Sequence, residues 1–137
     1  MNGQDFQRIT SAAFEPFLKE LGYLTDNISI SGRFYRVFYK AHKNVISVSY
    51  EPSDRALFVM IFTRNGDELS DIDDTASTPR LSDLNSRFMH TVSVEKRKEN
   101  ENYFKSISAC DDDERLLLKC AKELRLVLPC YLNSIEV

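Results

Sequence analysis

The chain has 137 residues, of which 42% are apolar and 28% charged, the composition of one globular domain rather than of a disordered segment. A chain of this length buries about two-thirds of the surface it exposes unfolded, so a core forms without disulfides or metal. Eighteen basic against twenty-one acidic residues give a net charge of −3, which speaks against duplex nucleic acid as a partner. The longest apolar run, residues 56–62 (ALFVMIF), is far short of the roughly twenty residues that span a bilayer. The first residues, MNGQDFQRIT, have neither a basic nor an apolar leader region, so the expectation is a cytoplasmic protein. The expected class is α+β in a single domain, residues 1–137.

Phe6, Ile9, Ala13, Phe17 and Leu21 recur at three- and four-residue steps, predicting an amphipathic helix that Pro16 kinks or restarts and Gly22 ends. The period then changes to two. In 34–41 (FYRVFYKA), Tyr35, Val37, Tyr39 and Ala41 share one face, and Phe34, Arg36, Phe38 and Lys40 the other. In 45–51 (VISVSYE), Ile46, Val48 and Tyr50 face one way and Ser47, Ser49 and Glu51 the other. Residues 57–62 are apolar on both faces and read as an interior strand. Turns at 42–44 and 52–54 make an antiparallel meander of three strands, with 28–31 as a short further edge.

A polar connection follows Asn65-Gly66 and runs to Pro79. It carries Asp67, Glu68, Asp71, Asp73 and Asp74 with no basic residue. Leu81, Leu84 and Phe88 have helical spacing, with Thr78 as the expected cap and Pro79 as the first helical residue. TVSVE (91–95) alternates and reads as a fourth strand, and EKRKENEN (95–102) as a solvated run. Asp111, Asp112, Asp113 and Glu114 suit the positive end of a last helix, whose buried stripe is Leu117, Cys120/Ala121, Leu124 and Leu128 and whose stop is Pro129.

No nucleophile elbow, phosphate-binding loop, dinucleotide fingerprint or zinc-protease motif occurs, so no catalytic residue, metal or cofactor is expected. Cys110, Cys120 and Cys130 are ten residues apart, about 280° around a helix, and do not share a face. An odd count without a leader predicts free thiols. Arg36 and Lys40 between Phe34 and Phe38 have the composition of a single-stranded nucleic-acid surface, but equally of aromatics packed under basic side chains that reach solvent. The carboxylates of 67–74 are open to three readings. They are a solvated loop, a surface for a basic protein, or oxygen ligands for a divalent cation, although DELSDIDD lacks the order of a calcium loop.

The runs FEPFLKELGY, GRFYRVFYK, VISVSYEP and TPRLSDLN resemble small stand-alone bacterial α+β domains in which a helix ending in L-G-Y or L-G-F precedes a meander. Many of those domains sit beside polymorphic or contact-dependent toxins as immunity proteins. The resemblance covers the first ninety residues and transfers no functional residue. It implies a non-catalytic protein that neutralises a cognate toxin domain by direct binding. Toxins of nucleic acid carry basic active sites, so Asp67, Glu68, Asp71, Asp73 and Asp74 are the candidate partner-binding residues. The alternative is a small-molecule-binding or enzymatic domain with its pocket between sheet and helices.

Overall fold

The computed structural model describes residues 1–135. Asn2 caps the first helix, α1 (Gly3–Ile9), by accepting the Asp5 N–H at 2.9 Å. The helical path widens into a π-helical stretch, Thr10–Phe14, before α2 (Glu15–Glu20). Pro16 accounts for this, since it offers the Ala12 carbonyl no N–H and its ring crowds that carbonyl. Gly22 then turns the chain at φ +94, a conformation that a Cβ disfavours.

Five antiparallel strands follow in the spatial order of the sequence: β1 (Leu24–Ile30), β2 (Tyr35–Lys40), β3 (Asn44–Glu51), β4 (Ala56–Asn65) and the short β5 (Glu68–Leu69). Across β2, β3 and β4, Val37 pairs with Val48 and Val48 with Val59, while Tyr39, Ile46 and Ile61 form the next row. These rows face the helices. Phe14 stacks on Tyr39 at 6.4 Å between ring centroids, and Phe6 lies 5.7 Å from Tyr35. The remaining helices are α3 (Leu81–Phe88), α4 (Val94–Phe104) and α5 (Asp112–Ile135). Leu117, Leu124 and Leu128 of α5 and Leu84 of α3 are fully buried in the same core. The architecture is α+β, with a long C-terminal helix on the sheet, as the periodicities imply.

Several local expectations are corrected. Residues 91–95 form no strand: Ser93 caps α4 by accepting the Lys96 N–H, and the charged run 95–102 is helical. That helix has no apolar stripe and is held instead by single contacts. Asn100 is buried, donates to the Lys122 carbonyl at 2.9 Å and accepts from Arg125 at 2.9 Å. The Arg125 guanidinium lies 3.9 Å over the Tyr103 ring.

Pro129 does not end α5, which continues to Ile135 because Val127, Leu128 and Tyr131 are buried on either side of it. Thr78 and Pro79 do not start α3. Arg80 precedes it, and the Asp83 carboxylate accepts the Arg80 N–H at 2.9 Å. The strand buried from both sides is β3, whereas residues 57–62 lie in β4, which β5 flanks only at Arg64 and Asn65. The first strand begins at Leu24, four residues earlier than the short edge read from the sequence.

Candidate functional site

The side of the sheet away from the helices has its own side-chain set. Arg36, Phe38 and Lys40 alternate on β2, with Phe34 just before it, and Phe58, Met60 and Phe62 on β4. None of these belongs to the core cluster, although Phe58 borders a cleft of about 240 Å³ with Leu81 and Asn85 of α3 and Cys120 of α5, and Arg80 pairs with Met60 in an isolated bridge. Between the two rows, β3 presents Val45, Ser47 and Ser49, with Glu51 at its end. Register fixes the arrangement: Phe38, Ser47 and Met60 are opposite one another, as are Arg36, Ser49 and Phe58. Two rows of large side chains thus close over a row of small ones, each of which is buried. Ser47 is 2% exposed and its hydroxyl has no hydrogen-bond partner among the described residues.

Arg36 is held in place. Its Nε donates to Ser49 Oγ at 2.9 Å, and its guanidinium carbon lies 4.6 Å from the Phe34 ring centroid and 5.9 Å from that of Phe38. Neither Arg36 nor Lys40 has a salt-bridge partner among the described residues. At one end of this face lies a cleft of about 270 Å³ whose lining includes Phe38, Lys40, Val45, Arg64 and Leu69, with Asp26 and Asp67 also present. Side chains of β1 and β5 line this one cleft because the sheet curls about it.

The acidic connection leaves the sheet beside that cleft. Asp67 is exposed and sits 4.0 Å from Arg64, and Glu68 lies in β5. The rest is a hydrogen-bonded turn assembly. The Asp71 carboxylate accepts the Asp73 N–H at 2.9 Å, and the Asp74 carboxylate accepts from Ala76 N–H at 3.2 Å and Ser77 Oγ at 3.0 Å. Thr63 anchors the assembly to β4 by donating its hydroxyl to the Ser77 carbonyl at 2.6 Å and its N–H to Ser70 Oγ at 2.9 Å. Buried Thr78 donates to the Asp71 carbonyl at 2.8 Å. The five carboxylates therefore lie along a shaped segment instead of converging on one point. Among the described residues no His, Cys, Asp and Glu set is arranged to hold a metal ion.

A second charged group surrounds the start of α5. Asp111 caps it, accepting the Glu114 N–H at 2.8 Å, and Arg8 pairs with Glu114. Asp113 accepts from the Tyr50 hydroxyl at 2.7 Å and from Arg55 at 3.0 Å. Arg55 takes a left-handed backbone conformation, φ 50, in the β3–β4 turn. Hydrogen bonds from Arg55 and then Tyr50 hold the Asp113 carboxyl below the ordinary carboxylate range. Burial, and then the hydrogen bond to Asp113, push Tyr50 up to about 12. Neither group changes protonation near neutrality, so the cluster is a clamp tying the turn to α5.

Cys110, Cys120 and Cys130 form no disulfide, and burial pushes the Cys120 thiol up to about 11, away from nucleophilic use. His42 and His90 are exposed on separate elements. The space between sheet and helices is filled by Phe14, Tyr39, Ile46 and Leu124. Sequence reasoning found Phe34, Arg36 and Phe38 but assigned Phe58, Met60 and Phe62 to an interior strand. The signal it lacked was register, which puts them beside Ser47 and Ser49. No family model, curated protein or solved structure matches this chain.

Proposed function

We propose that the chain is a non-catalytic binding protein of the immunity type, which neutralises a cognate toxin domain by direct contact in the bacterial cytoplasm. The observation that carries this reading is the acidic connection. Glu68, Asp71, Asp73 and Asp74 make no salt bridge among the described residues, yet the segment bearing them is hydrogen-bonded into one shape. Ile72, 47% exposed, stands among them. Carboxylates fixed in position around an apolar tip suit a basic protein surface, because their ordering is complete before the partner arrives.

Replacing Asp71, Asp73 and Asp74 together by Asn keeps an oxygen acceptor at each turn and removes three charges. The partner is first captured from the source cells and identified by mass spectrometry. At low salt the triple variant should associate about tenfold more slowly than the parent protein, and the gap should close as salt is raised. Equal rates at low salt would leave the segment an ordinary solvated turn.

A further inference from the structure

We infer that β1 is the seam of a symmetric dimer, in which two copies of the chain join their sheets edge to edge with Ser29 on the two-fold axis. The inference does not depend on the toxin-binding reading above.

The two edges of the sheet are finished differently. Along β4, β5 pairs with Arg64 and Asn65, the Ser70 N–H donates to the Thr63 carbonyl at 2.9 Å, and the Ile61 N–H donates to the Pro79 carbonyl at 3.0 Å. The chain closes that edge itself. β1 is the opposite edge, and all of its residues except Ser29 are exposed. It carries neither Lys nor Pro, two residues that commonly keep a strand edge from pairing. Its one charge, Asp26, sits at a bulge between Thr25 and Asn27, which confines regular pairing to the residues after it.

Hydrogen-bond parity identifies the free groups. The Ser31 N–H donates to the Phe34 carbonyl at 3.0 Å, so Ser31, Ser29 and Asn27 turn their backbone groups toward β2. Ile28 and Ile30 turn theirs outward, where no backbone group among the described residues meets them. Their side chains extend the rows of Val37 and Tyr35, yet they are 38% and 42% exposed. The start of α1 covers Ile30 from the helix side, where a Cβ on Gly3 would fall 2.5 Å from its Cγ2. The strand edge is the side left open.

A two-fold antiparallel pair sets one residue opposite itself, and the sequence favours one choice. With Ser29 on the axis, Ile28 faces Ile30 of the second copy, and Ile30 faces its Ile28. Both have outward backbone groups, so each pair exchanges both of its hydrogen bonds and adds an apolar cross-strand contact. An axis at Ile28 would set Asp26 against Ile30, and one at Ile30 would set Ile28 against Gly32. The Ser29 register also places Asp26 opposite Gly32 of the second copy, beside its Arg33. Asp26 and Arg33 are exposed and have no salt-bridge partner among the described residues. Opposite charges therefore meet at both ends of the seam. The edge is complementary to itself, which makes a second copy its occupant.

Sedimentation velocity at low salt, from micromolar to millimolar protein, should show a reversible monomer–dimer equilibrium. Ile28→Pro removes an outward N–H without breaking a bond to β2, and should weaken the dimer at least tenfold. Asp26→Arg and Arg33→Asp should each weaken it severalfold, and an equimolar mixture of these two proteins should recover it as a heterodimer. Register is read by cross-linking in a Cys110→Ser background, which removes the exposed thiol. Ser29→Cys should form a disulfide between copies, because a non-hydrogen-bonded pair brings its Cα atoms to about 4.5 Å. Asn27→Cys, on the same face but off the axis, should not.

A protein that stays monomeric at millimolar concentration overturns the seam. So does a dimer that a folded Ile28→Pro protein leaves intact, or one that cross-links equally through either introduced thiol. If circular dichroism shows that Ile28→Pro does not fold, the charge-reversed mixture decides, and no recovery of the dimer there overturns the inference.

Discussion

On β3, Ile46, Val48 and Tyr50 lose their solvent because helices lie over them, while Ser47 and Ser49 on the opposite face lose theirs to side chains of their own sheet. The two faces are nearly equally dry and mechanically different. On the helix side, burial is shared among elements distant in sequence, and each side chain is locked by several others. On the outer side, burial depends on Phe38, Met60, Arg36 and Phe58 closing over small neighbours. The helix side cannot be exposed without unfolding.

The largest effect that separates the two faces should come from paired truncations. Leu124, fully buried on α5, should cost about 2–5 kcal/mol when changed to Ala, because both its transfer energy and its cavity are lost. Phe58 is the larger side chain but is 39% exposed, and Phe58→Ser should cost about 1 kcal/mol or less. Urea denaturation midpoints of the two variants check this. Equal midpoint shifts would mean that the outer face is as much a part of the core as the inner one.

A smaller, pH-dependent effect should come from the clamp at the start of α5. Arg55 and Tyr50 lower the folded-state pKa of Asp113 below the ordinary carboxylate value of about 3.9. The clamp's contribution is then complete above that ordinary value and is lost as pH falls through the depressed folded-state value, since the unfolded chain takes up its proton first. Stability of the parent protein should accordingly decline as pH drops below about 4. Asp113→Asn should lower the midpoint at pH 7 and flatten that acid limb. An acid limb of unchanged slope in the variant would assign acid sensitivity to other carboxylates.

Most of the fold can be read directly from local patterns, and the exceptions have identifiable causes. The alternation in 34–41 and 45–51 assigns both faces of β2 and β3 correctly, and the leucine spacing assigns the buried stripe of α5. Periodicity cannot tell a strand covered on both sides from one whose second apolar face is open, and β4 is the latter. α4 has no pattern to find, because Asn100 and Tyr103 meet partners on α5 more than twenty residues away. Pro129 is tolerated inside α5 because burial on both sides of it outweighs one lost backbone bond. The charge of residues 67–74 is legible at once, but their order is not. It depends on Thr63 and Thr78, which the turns bring together from either end of the connection.

The smallest effect bears most closely on the outer face and has the opposite sign. Ser47 holds a hydroxyl that is fully desolvated and unpaired among the described residues. Changing it to Ala removes the polar atom and little volume, and Ala and Ser are similarly poor strand residues. The folded state should gain about 1 kcal/mol, because the parent carries a desolvation cost that no hydrogen bond offsets. A small rise in the urea midpoint with an unchanged slope is the expected result. On the helix side Thr10, equally buried, already donates its hydroxyl to the Phe6 carbonyl at 2.8 Å, and truncating it should lower stability. If Ser47→Ala destabilises the protein as Thr10→Ala does, its hydroxyl is satisfied in the folded chain.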